Sequence, residues 1–260
     1  MSSNLKISGI QADLIWHDPE ANRRYLNNLV LQSPESDVYV LPETFSTGFS
    51  MDTLQLCEEM NGPTHQWMME LARQKEAVIC GSVIIRDGEK IFNRFLWVNP
   101  QGQTEVYDKR HRFTMAGEHQ HFSAGNKQLI VELKGWRILL LVCYDLRFPV
   151  WSRNRNNYDA VFYIANWPAA RVTAWSKLLQ ARAIENQCYV VGVNRVGTDG
   201  NGIVYSGDSA IVDPKGEVIS KLDFGEEGHV SAELDMTELL SFREKFPVLE
   251  DGDDFELNVN

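Results

Sequence analysis

The chain lacks the segments that place a protein in or across a membrane. Its longest uninterrupted apolar run, residues 138–144, is seven residues long, whereas a membrane-spanning helix needs about 20. The N-terminal residues 1–14 lack the charged and then apolar pattern of a secretory signal peptide. We therefore expect a globular protein with no membrane partner, and we predict that it is cytoplasmic.

Basic residues are the minority charge, because 25 Lys and Arg stand against 36 Asp and Glu, a formal net charge of −11. An acidic surface repels phosphate backbones, which excludes nucleic acid as an expected partner. Cysteine is also scarce: four residues, at 57, 80, 143 and 188, include no Cys-x-x-Cys pair. We expect free thiols and no disulfide framework.

Several motifs of catalysis and cofactor binding are missing. The sequence contains no Gly-x-Ser-x-Gly, no P-loop and no Gly-x-Gly-x-x-Gly. His111, His119 and His121 lie close together, but no His-Glu-x-x-His or cysteine partner accompanies them. Because zinc needs three or four convergent ligands, we predict no metal and no cofactor. We expect these histidines in loops around a pocket.

What the chain does contain is an alternation of short β-branched and aromatic runs with longer amphipathic ones, typical of an α/β fold. The predicted strands are residues 5–11, 37–41, 77–85, 91–98, 103–107, 128–133, 137–143, 159–165, 188–195, 203–212 and 228–234. The predicted helices are residues 19–32, 64–76, 149–155 and 173–187.

A weak internal repeat suggests how these elements are arranged. Asn-Pro-Gln-Gly at 99–102 and Asp-Pro-Lys-Gly at 213–216 each follow a predicted strand, and both have the composition of a tight turn. No Pro/Gly/Ser-rich linker divides the chain. We interpret it as two related α/β halves packed sheet against sheet in a single domain, residues 1–260.

Three chemically active residues stand at the ends of predicted strands. Cys143 closes an apolar strand, and Pro149 is predicted to open a helix whose N-terminus would stabilise a thiolate. Glu43 follows the strand at 37–41, where a buried carboxylate is costly unless it is paired. Lys109 follows the strand at 103–107; alone, a lysine there is more typical of a solvated turn.

Together these three residues can perform acyl transfer. A cysteine nucleophile needs a base, and the tetrahedral oxyanion needs a cation or N–H donors. Glu43 is the candidate base, and Lys109 the candidate cation. The backbone N–H of Tyr144, directly after the nucleophile, is the candidate second donor to the oxyanion.

The motifs Leu-Pro-Glu-Thr-Phe at 41–45, Tyr-Asp-Lys-Arg-His at 107–111 and Cys-Tyr-Asp-Leu-Arg-Phe-Pro at 143–149 resemble those of the nitrilase, or carbon–nitrogen hydrolase, superfamily. The resemblance implies a Glu–Lys–Cys triad at Glu43, Lys109 and Cys143, and a second glutamate at Glu118. It also implies an α-β-β-α two-sheet sandwich that pairs into a larger sandwich in a homodimer.

Within the superfamily, the segments at 45–49, 115–119 and 143–148 resemble the omega-amidase branch. The resemblance implies hydrolysis of 2-oxoglutaramate and 2-oxosuccinamate to 2-oxo dicarboxylates and ammonia. The same site on a nitrile, an N-carbamoyl substrate or another amide is the alternative enzyme interpretation. A catalytically silent binding module is the alternative of a different class.

Three further residues are candidates for the substrate pocket. Phe49 and Trp167 follow strand ends and are expected to form its walls. Arg147, four residues after Cys143, either binds a substrate carboxylate or pairs with Asp145 or Glu185 to brace the turn.

Overall fold

The computed structural model describes residues 4–258. Its strands are β1 Leu5–Gln11, β2 Val38–Val40, β3 Glu58–Glu59, β4 Val78–Asp87, β5 Lys90–Val98, β6 Thr104–Asp108, β7 Ile130–Leu133, β8 Trp136–Val142, β9 Ala160–Ala165, β10 Tyr189–Asn194, β11 Val196–Thr198, β12 Val204–Ser206, β13 Ala210–Val212, β14 Val218–Lys221 and β15 Gly228–Leu234. Its α-helices are α1 Pro19–Gln32, α2 Thr53–Leu56, α3 Pro63–Lys75, α4 Glu118–His121, α5 Val172–Asn186 and α6 Met236–Lys245. None of the helices in this range has the length and apolar character that crossing a bilayer requires.

Two mixed sheets have the same internal order of strands. The first sheet runs β15-β1-β2-β4-β5-β6, with β3 beside β4, and the second runs β14-β13-β10-β9-β8-β7. In the first, β1, β2 and β4 are parallel and β5 and β6 follow antiparallel. In the second, β8, β9 and β10 are parallel and β13 and β14 follow antiparallel. The topology agrees with the two related halves predicted from the repeat.

The repeated turns occupy equivalent places in the two sheets. The turn at 99–102 joins β5 to β6, and the turn at 213–216 joins β13 to β14. In the first, Asn99 Oδ1 accepts hydrogen bonds from the N–H groups two and four residues ahead, at 3.0 and 2.9 Å. Asp213 Oδ1 does the same in the second, at 2.9 Å in both bonds. The Asx side chain therefore closes both turns in the same way.

The hydrophobic core lies between the two sheets and beneath the helices on either side. Trp97 of β5 and Phe162 of β9 meet across the inter-sheet space with ring centroids 6.1 Å apart. The opposite face of the first sheet packs on α1 and α3 through Leu26 and Met68. On the other side of the molecule, α5 covers the second sheet, with Trp175 and Leu179 buried. The layers are thus α-β-β-α, as the resemblance implied.

The predicted helix at 149–155 is wrong. A 3₁₀ turn spans Cys143–Arg147, and turns and irregular chain follow it. Side-chain acceptors account for the irregularity, because the N–H groups of Asn154 and Arg155 donate to Asn186 Oδ1 and Asn157 Oδ1, at 2.8 and 3.1 Å, in place of helical carbonyls. No helix after Pro149 therefore directs its N-terminus at the thiol.

Other elements also differ from the prediction, and the short elements α2, α4, β3, β11 and β14 were not predicted. The strand predicted at 203–212 is split, because Gly207 and Asp208 both have positive φ, 79° and 55°. Helix α6 was not predicted, although Asp235 carries an N-capping signal: its side chain accepts from the N–H groups of Thr237 and Glu238 at 2.7 and 3.0 Å.

Three exposed apolar side chains lie on α5, on α6 and just after α6. Ile184 of α5, Leu240 of α6 and Phe246 just after α6 are each more than half exposed. Patches of exposed apolar side chains are typical of protein–protein interfaces. We propose this surface as the interface of the predicted homodimer.

We expect size-exclusion chromatography with light scattering to give about twice the 29.7 kDa chain mass. Ile184→Glu should shift the protein toward monomer, because the new carboxylate would be desolvated at the interface. Leu54→Glu, at an exposed leucine of α2, is the matched control and should leave the mass unchanged. A monomeric wild type, or a dimer that survives both Ile184→Glu and Leu240→Glu, would contradict this interface.

Candidate active site

The carboxyl ends of four strands meet at one edge of the sandwich. Glu43 follows β2 by three residues, while Lys109, Cys143 and Asn166 come directly after β6, β8 and β9. Two of these strands belong to the first sheet and two to the second. Strand ends of this kind line the ligand crevice of α/β proteins, and here they bring the predicted triad together.

The Glu43 carboxylate is buried and fully engaged. Its Oε1 accepts hydrogen bonds from Lys109 Nζ at 2.9 Å and from Asn93 Nδ2 at 2.7 Å. Its Oε2 accepts from the Asn166 N–H at 2.7 Å, and Asn166 Nδ2 donates back to the Glu43 carbonyl at 2.6 Å. Donors from both sheets therefore hold this carboxylate in one orientation and stabilise its charge.

The Lys109 ammonium lies between two carboxylates and is 1% exposed. Its Nζ is 2.9 Å from Glu43 Oε1 and 2.9 Å from Glu118 Oε1. Burial alone would lower the pKa of Lys109, but the charges of Glu118 and Glu43 outweigh it and raise that pKa well above its usual range. The side chain is therefore a permanent cation, and Phe49 covers it with a ring centroid 5.2 Å away.

Glu118, the first residue of α4, is completely buried. Its Oε2 accepts from Lys109 Nζ at 3.0 Å and from the Phe113 N–H. Its Oε1 lies close to Lys109 Nζ but makes no hydrogen bond of acceptable geometry within the described chain. Burial raises the pKa of Glu118. The Lys109 charge lowers this pKa and the Glu43 charge raises it, and the net shift is upward.

Cys143 stands at the corner between β8 and the 3₁₀ turn. Its φ is +46°, a left-handed conformation that is costly for a residue with a side chain. Burial and the charge of Glu43 raise the pKa of the Cys143 thiol well above its usual range, and Lys109 only partly opposes them. The group at rest is therefore a neutral thiol beside a carboxylate that can accept its proton.

A cavity of about 410 Å³ opens over these groups, a size typical of small-molecule sites. Glu43, Lys109 and Cys143 reach it, and the predicted Phe49, Tyr144, Trp167 and Arg147 all line it. Arg147 stacks on Trp167, with its guanidinium carbon 4.9 Å from the ring centroid. Asp145 and Glu185 bond to other groups instead, His111 and Arg182 among them.

The carbon-nitrogen hydrolase family matches residues 6–244 of this chain. The chain belongs to that family. It is 50% identical to the omega-amidase YafV of Escherichia coli K12 over 97% of this chain and 98% of that protein. It is 35% identical to the 2-oxoglutaramate amidase of Bacillus subtilis 168 over 94% of this chain and 96% of that protein.

Among solved structures, a carbon-nitrogen hydrolase superfamily protein of Xanthomonas campestris with an arsenic adduct in its active site matches with a TM-score of 0.96. The two are 44% identical, over 98% of this chain and 100% of that one. This chain is thus a hydrolase of carbon–nitrogen bonds other than peptide bonds, in the omega-amidase-like branch of its family.

Several residues of this hydrolase site were not identified from the sequence, and three of them carry charge or hydrogen bonds that the site uses. Asn93 and Asn166 hold Glu43, and Arg171 lines the cavity opposite no acidic partner in residues 4–258. Asn166 could have been identified from the sequence, because it directly follows an apolar strand, as Cys143 does. Asn93 and Arg171 carried no such signal, since their neighbours in the chain do not contribute to the site.

The histidines form no common site. His111 Nδ1 lies 2.7 Å from Asp145 Oδ1, and its ring stacks on Phe148 at 3.8 Å. His119 and His121 belong to α4 and do not line the cavity. No group of three His, Cys, Asp or Glu residues within 4–258 is placed to hold a metal ion.

Removing the buried ammonium should destabilise the protein in a pH-dependent way. In Lys109→Met, two buried carboxylates lose their counter-charge. We expect the free energy of unfolding at pH 8 to fall by about 3–5 kcal/mol as a result. The pKa of Glu118, already raised, would rise further in the folded variant. The unfolded chain releases that proton at lower pH than the folded variant does. The difference in the free energy of unfolding between wild type and variant, the deficit, therefore grows as pH rises from 5 to 8.

Urea unfolding of wild type and Lys109→Met at both pH values measures this deficit. The double variant Lys109→Met/Glu118→Gln is the control, and it should recover part of the loss because one buried carboxylate is gone. Equal deficits at pH 5 and pH 8 would mean that unpaired carboxylates are not the cause.

Proposed function

We propose that the protein is an omega-amidase that converts the terminal amides of short 2-oxo acids, 2-oxoglutaramate and 2-oxosuccinamate, to 2-oxo dicarboxylates and ammonia. The observation that carries the proposal is one cavity that combines a thiol, a buried carboxylate and a buried ammonium with two unpaired arginines. The names of the E. coli and B. subtilis relatives support the same substrate class.

The first half-reaction forms a thioester. Cys143 Sγ attacks the amide carbon as its proton passes to the Glu43 carboxylate. The carbonyl oxygen becomes an oxyanion, stabilised by the Lys109 ammonium and by the N–H of Tyr144, which lies in the first turn of the 3₁₀ segment where N–H groups lack helical partners. Glu43 then returns the proton to the amide nitrogen, the C–N bond breaks, and ammonia leaves.

The second half-reaction reverses the roles with water. Glu43 takes a proton from a water molecule, the hydroxide attacks the thioester carbon, and the C–S bond breaks as the proton returns to sulfur. Glu118 does not line the cavity and is completely buried, so in this scheme it acts through Lys109, whose ammonium it holds in place. In this scheme a protein group carries out each proton transfer and stabilises each charge that develops, so the scheme needs no cofactor.

Two arginines favour a carboxylate at the other end of the substrate. Arg147 stacks on Trp167 and Arg171 on Phe113, with guanidinium carbons 4.9 and 5.1 Å from the ring centroids. Stacking leaves the donor edge of a guanidinium free for a carboxylate. Neither arginine pairs with an acidic side chain in the described part of the chain. Both would repel an α-ammonium, which disfavours glutamine and asparagine relative to their 2-oxo analogues.

Cys143→Ala should abolish ammonia release from 2-oxosuccinamate while leaving the urea unfolding midpoint close to wild type, because the change removes a single sulfur atom at a partly buried position. Cys57→Ala, at a partly buried cysteine outside the cavity, is the matched control and should retain activity. Comparable turnover by a folded Cys143→Ala would remove the thiol from the nucleophile role.

Trapping tests the thioester itself. Hydroxylamine added to wild-type enzyme and substrate should divert part of the acyl group into a hydroxamate, and intact-protein mass spectrometry should show an acyl adduct that maps to Cys143. Absence of both products across good substrates would favour direct attack by water. No ammonia from any amide would instead favour a silent binding module.

The 2-oxo group should be strongly preferred over an α-ammonium. We expect kcat/KM for 2-oxosuccinamate to exceed that for asparagine at least 10²-fold, equivalent to about 3 kcal/mol. Arg147→Met and Arg171→Met should each narrow this ratio, because each removes a cation that favours the carboxylate and repels the ammonium. Arg155→Met, at an arginine stacked on Phe255 outside the cavity, should not. Equal kcat/KM values for the two wild-type substrates would refute the preference.

A further inference from the structure

Asp145 is a buried carboxylate next to the active site that the reaction scheme does not use. It is 0% exposed, and both of its oxygens are occupied. Oδ1 accepts from the His111 N–H at 2.9 Å and from His111 Nδ1 at 2.7 Å. Oδ2 accepts from the Tyr107 hydroxyl at 2.8 Å and from the Val142 N–H at 3.0 Å. Because an ionised carboxylate only accepts, His111 Nδ1 carries a proton in this arrangement.

Two of these donors flank Lys109. Tyr107 precedes the lysine by two residues and lies in β6, while His111 follows it by two residues. The Tyr107 hydroxyl also accepts from the Arg110 N–H at 3.2 Å and from Trp151 Nε1 at 3.1 Å. Asp145 is thus bonded to the chain on both sides of the buried ammonium.

The third donor belongs to the strand that carries the nucleophile. The N–H of Leu140 donates to the Leu129 carbonyl, beside β7, and alternate N–H groups of a strand point to the same side. The N–H of Val142 points that way too, but its partner is the Asp145 side chain. Asp145 therefore takes the place of a neighbouring strand next to Cys143, where φ becomes +46°.

The two sheets contact each other mainly through apolar side chains. Bonds between Asn166 and Glu43 join the ends of β9 and β2, and Asp145 supplies the corresponding link between the ends of β8 and β6. Lys109 follows a strand of the first sheet and Cys143 a strand of the second. Apolar contact is non-directional and does not by itself set the separation of two polar groups. Hydrogen bonds are directional, and those of Asp145 join the two strand ends.

We infer that Asp145 is a positioning residue, which holds the Cys143 thiol in register with the Lys109 ammonium. It does not line the cavity, and its four acceptor sites are filled, so it acts through these neighbours and not on the substrate. The inference rests on the proposed function in taking Cys143 as the nucleophile.

Asp145→Asn in the full-length protein tests the inference, because the amide keeps the size of the side chain but replaces an acceptor oxygen with a donor. We expect kcat to fall about 10- to 100-fold, since a small misplacement of reacting groups has effects of this size. We expect KM to change less than threefold.

Thiol alkylation provides a readout that does not depend on any substrate. Wild type and variant are treated with iodoacetamide, and modification of Cys143 is compared by peptide mass spectrometry with that of Cys57, a partly buried cysteine in the same tube. The Cys143 to Cys57 ratio should fall at least fivefold in Asp145→Asn. Because no amide is hydrolysed in this assay, it remains decisive if the wild type cleaves none of the amides tested.

Asp159→Asn separates positioning from general destabilisation. Asp159 is also a buried carboxylate with four donors, from Arg137 and Arg243, but it lies at the opposite end of β8 and β9. It should lose thermal stability while keeping kcat and the alkylation ratio. Tyr107→Phe removes one donor to Asp145 and should show a smaller loss of both quantities, so it serves if Asp145→Asn does not fold.

The inference is overturned if folded Asp145→Asn keeps kcat and the alkylation ratio within twofold of wild type. It is also overturned if Asp159→Asn, with a similar loss of thermal stability, shows falls in kcat and in the alkylation ratio as large as those of Asp145→Asn. If Asp145→Asn does not fold, wild-type values in Tyr107→Phe overturn it.

Discussion

The Lys109 ammonium, buried between the carboxylates of Glu43 and Glu118, is the interaction on which the rest of the site depends. Three charges are removed from water in one place, and each would be costly there alone. Their arrangement is tolerable because Lys109 lies within 3.0 Å of oxygens from both acids and because Asn93 and Asn166 supply further donors to Glu43. The two sheets must therefore meet in one register, since the donors come from both.

The surroundings of this cluster also shift the pKa of the proposed nucleophile, Cys143. Burial raises the pKa of the Cys143 thiol, and the excess of negative charge from two carboxylates around one ammonium raises it further. The proposed chemistry uses the neutral thiol directly, because Glu43 can take the thiol proton as the carbon–sulfur bond forms. Negative charge then moves to the substrate oxygen, where Lys109 and the Tyr144 N–H are placed to stabilise it.

The same cavity holds cations for the other end of the proposed substrate. Arg147 and Arg171 line the same cavity as Cys143, and each is supported by an aromatic ring instead of a carboxylate. In a protein of net charge −11, two arginines without acidic partners in one cavity provide a local site for an anion. The proposed substrate, an amide at one end and a 2-oxo acid at the other, has this polarity.

Much of the fold and the residue types of the site were predictable from the sequence. Continuous apolar runs specify buried strands, because burial on both faces requires them. The residue after such a run is then at the sheet edge, which is why Cys143 and Glu43 could be singled out. Lys109 instead follows the largely exposed strand β6, and the resemblance of its motif at 107–111 supplied its role. The tight turns at 99–102 and 213–216 likewise indicated two similar halves, and the strand order of the two sheets agrees with them.

Only the tertiary structure decided which side chains hold these residues in place. Asn93 and Asn166 reach Glu43 across 50 and 123 residues of chain, and Asp145 reaches Tyr107 across 38. Local periodicity records burial but not contacts between distant segments. The same limit explains the wrong helix at 149–155, where hydrogen bonds to side-chain acceptors override the local pattern. The sequence determined which strands form and which residues lie at their ends, and packing of one sheet on the other decided their partners.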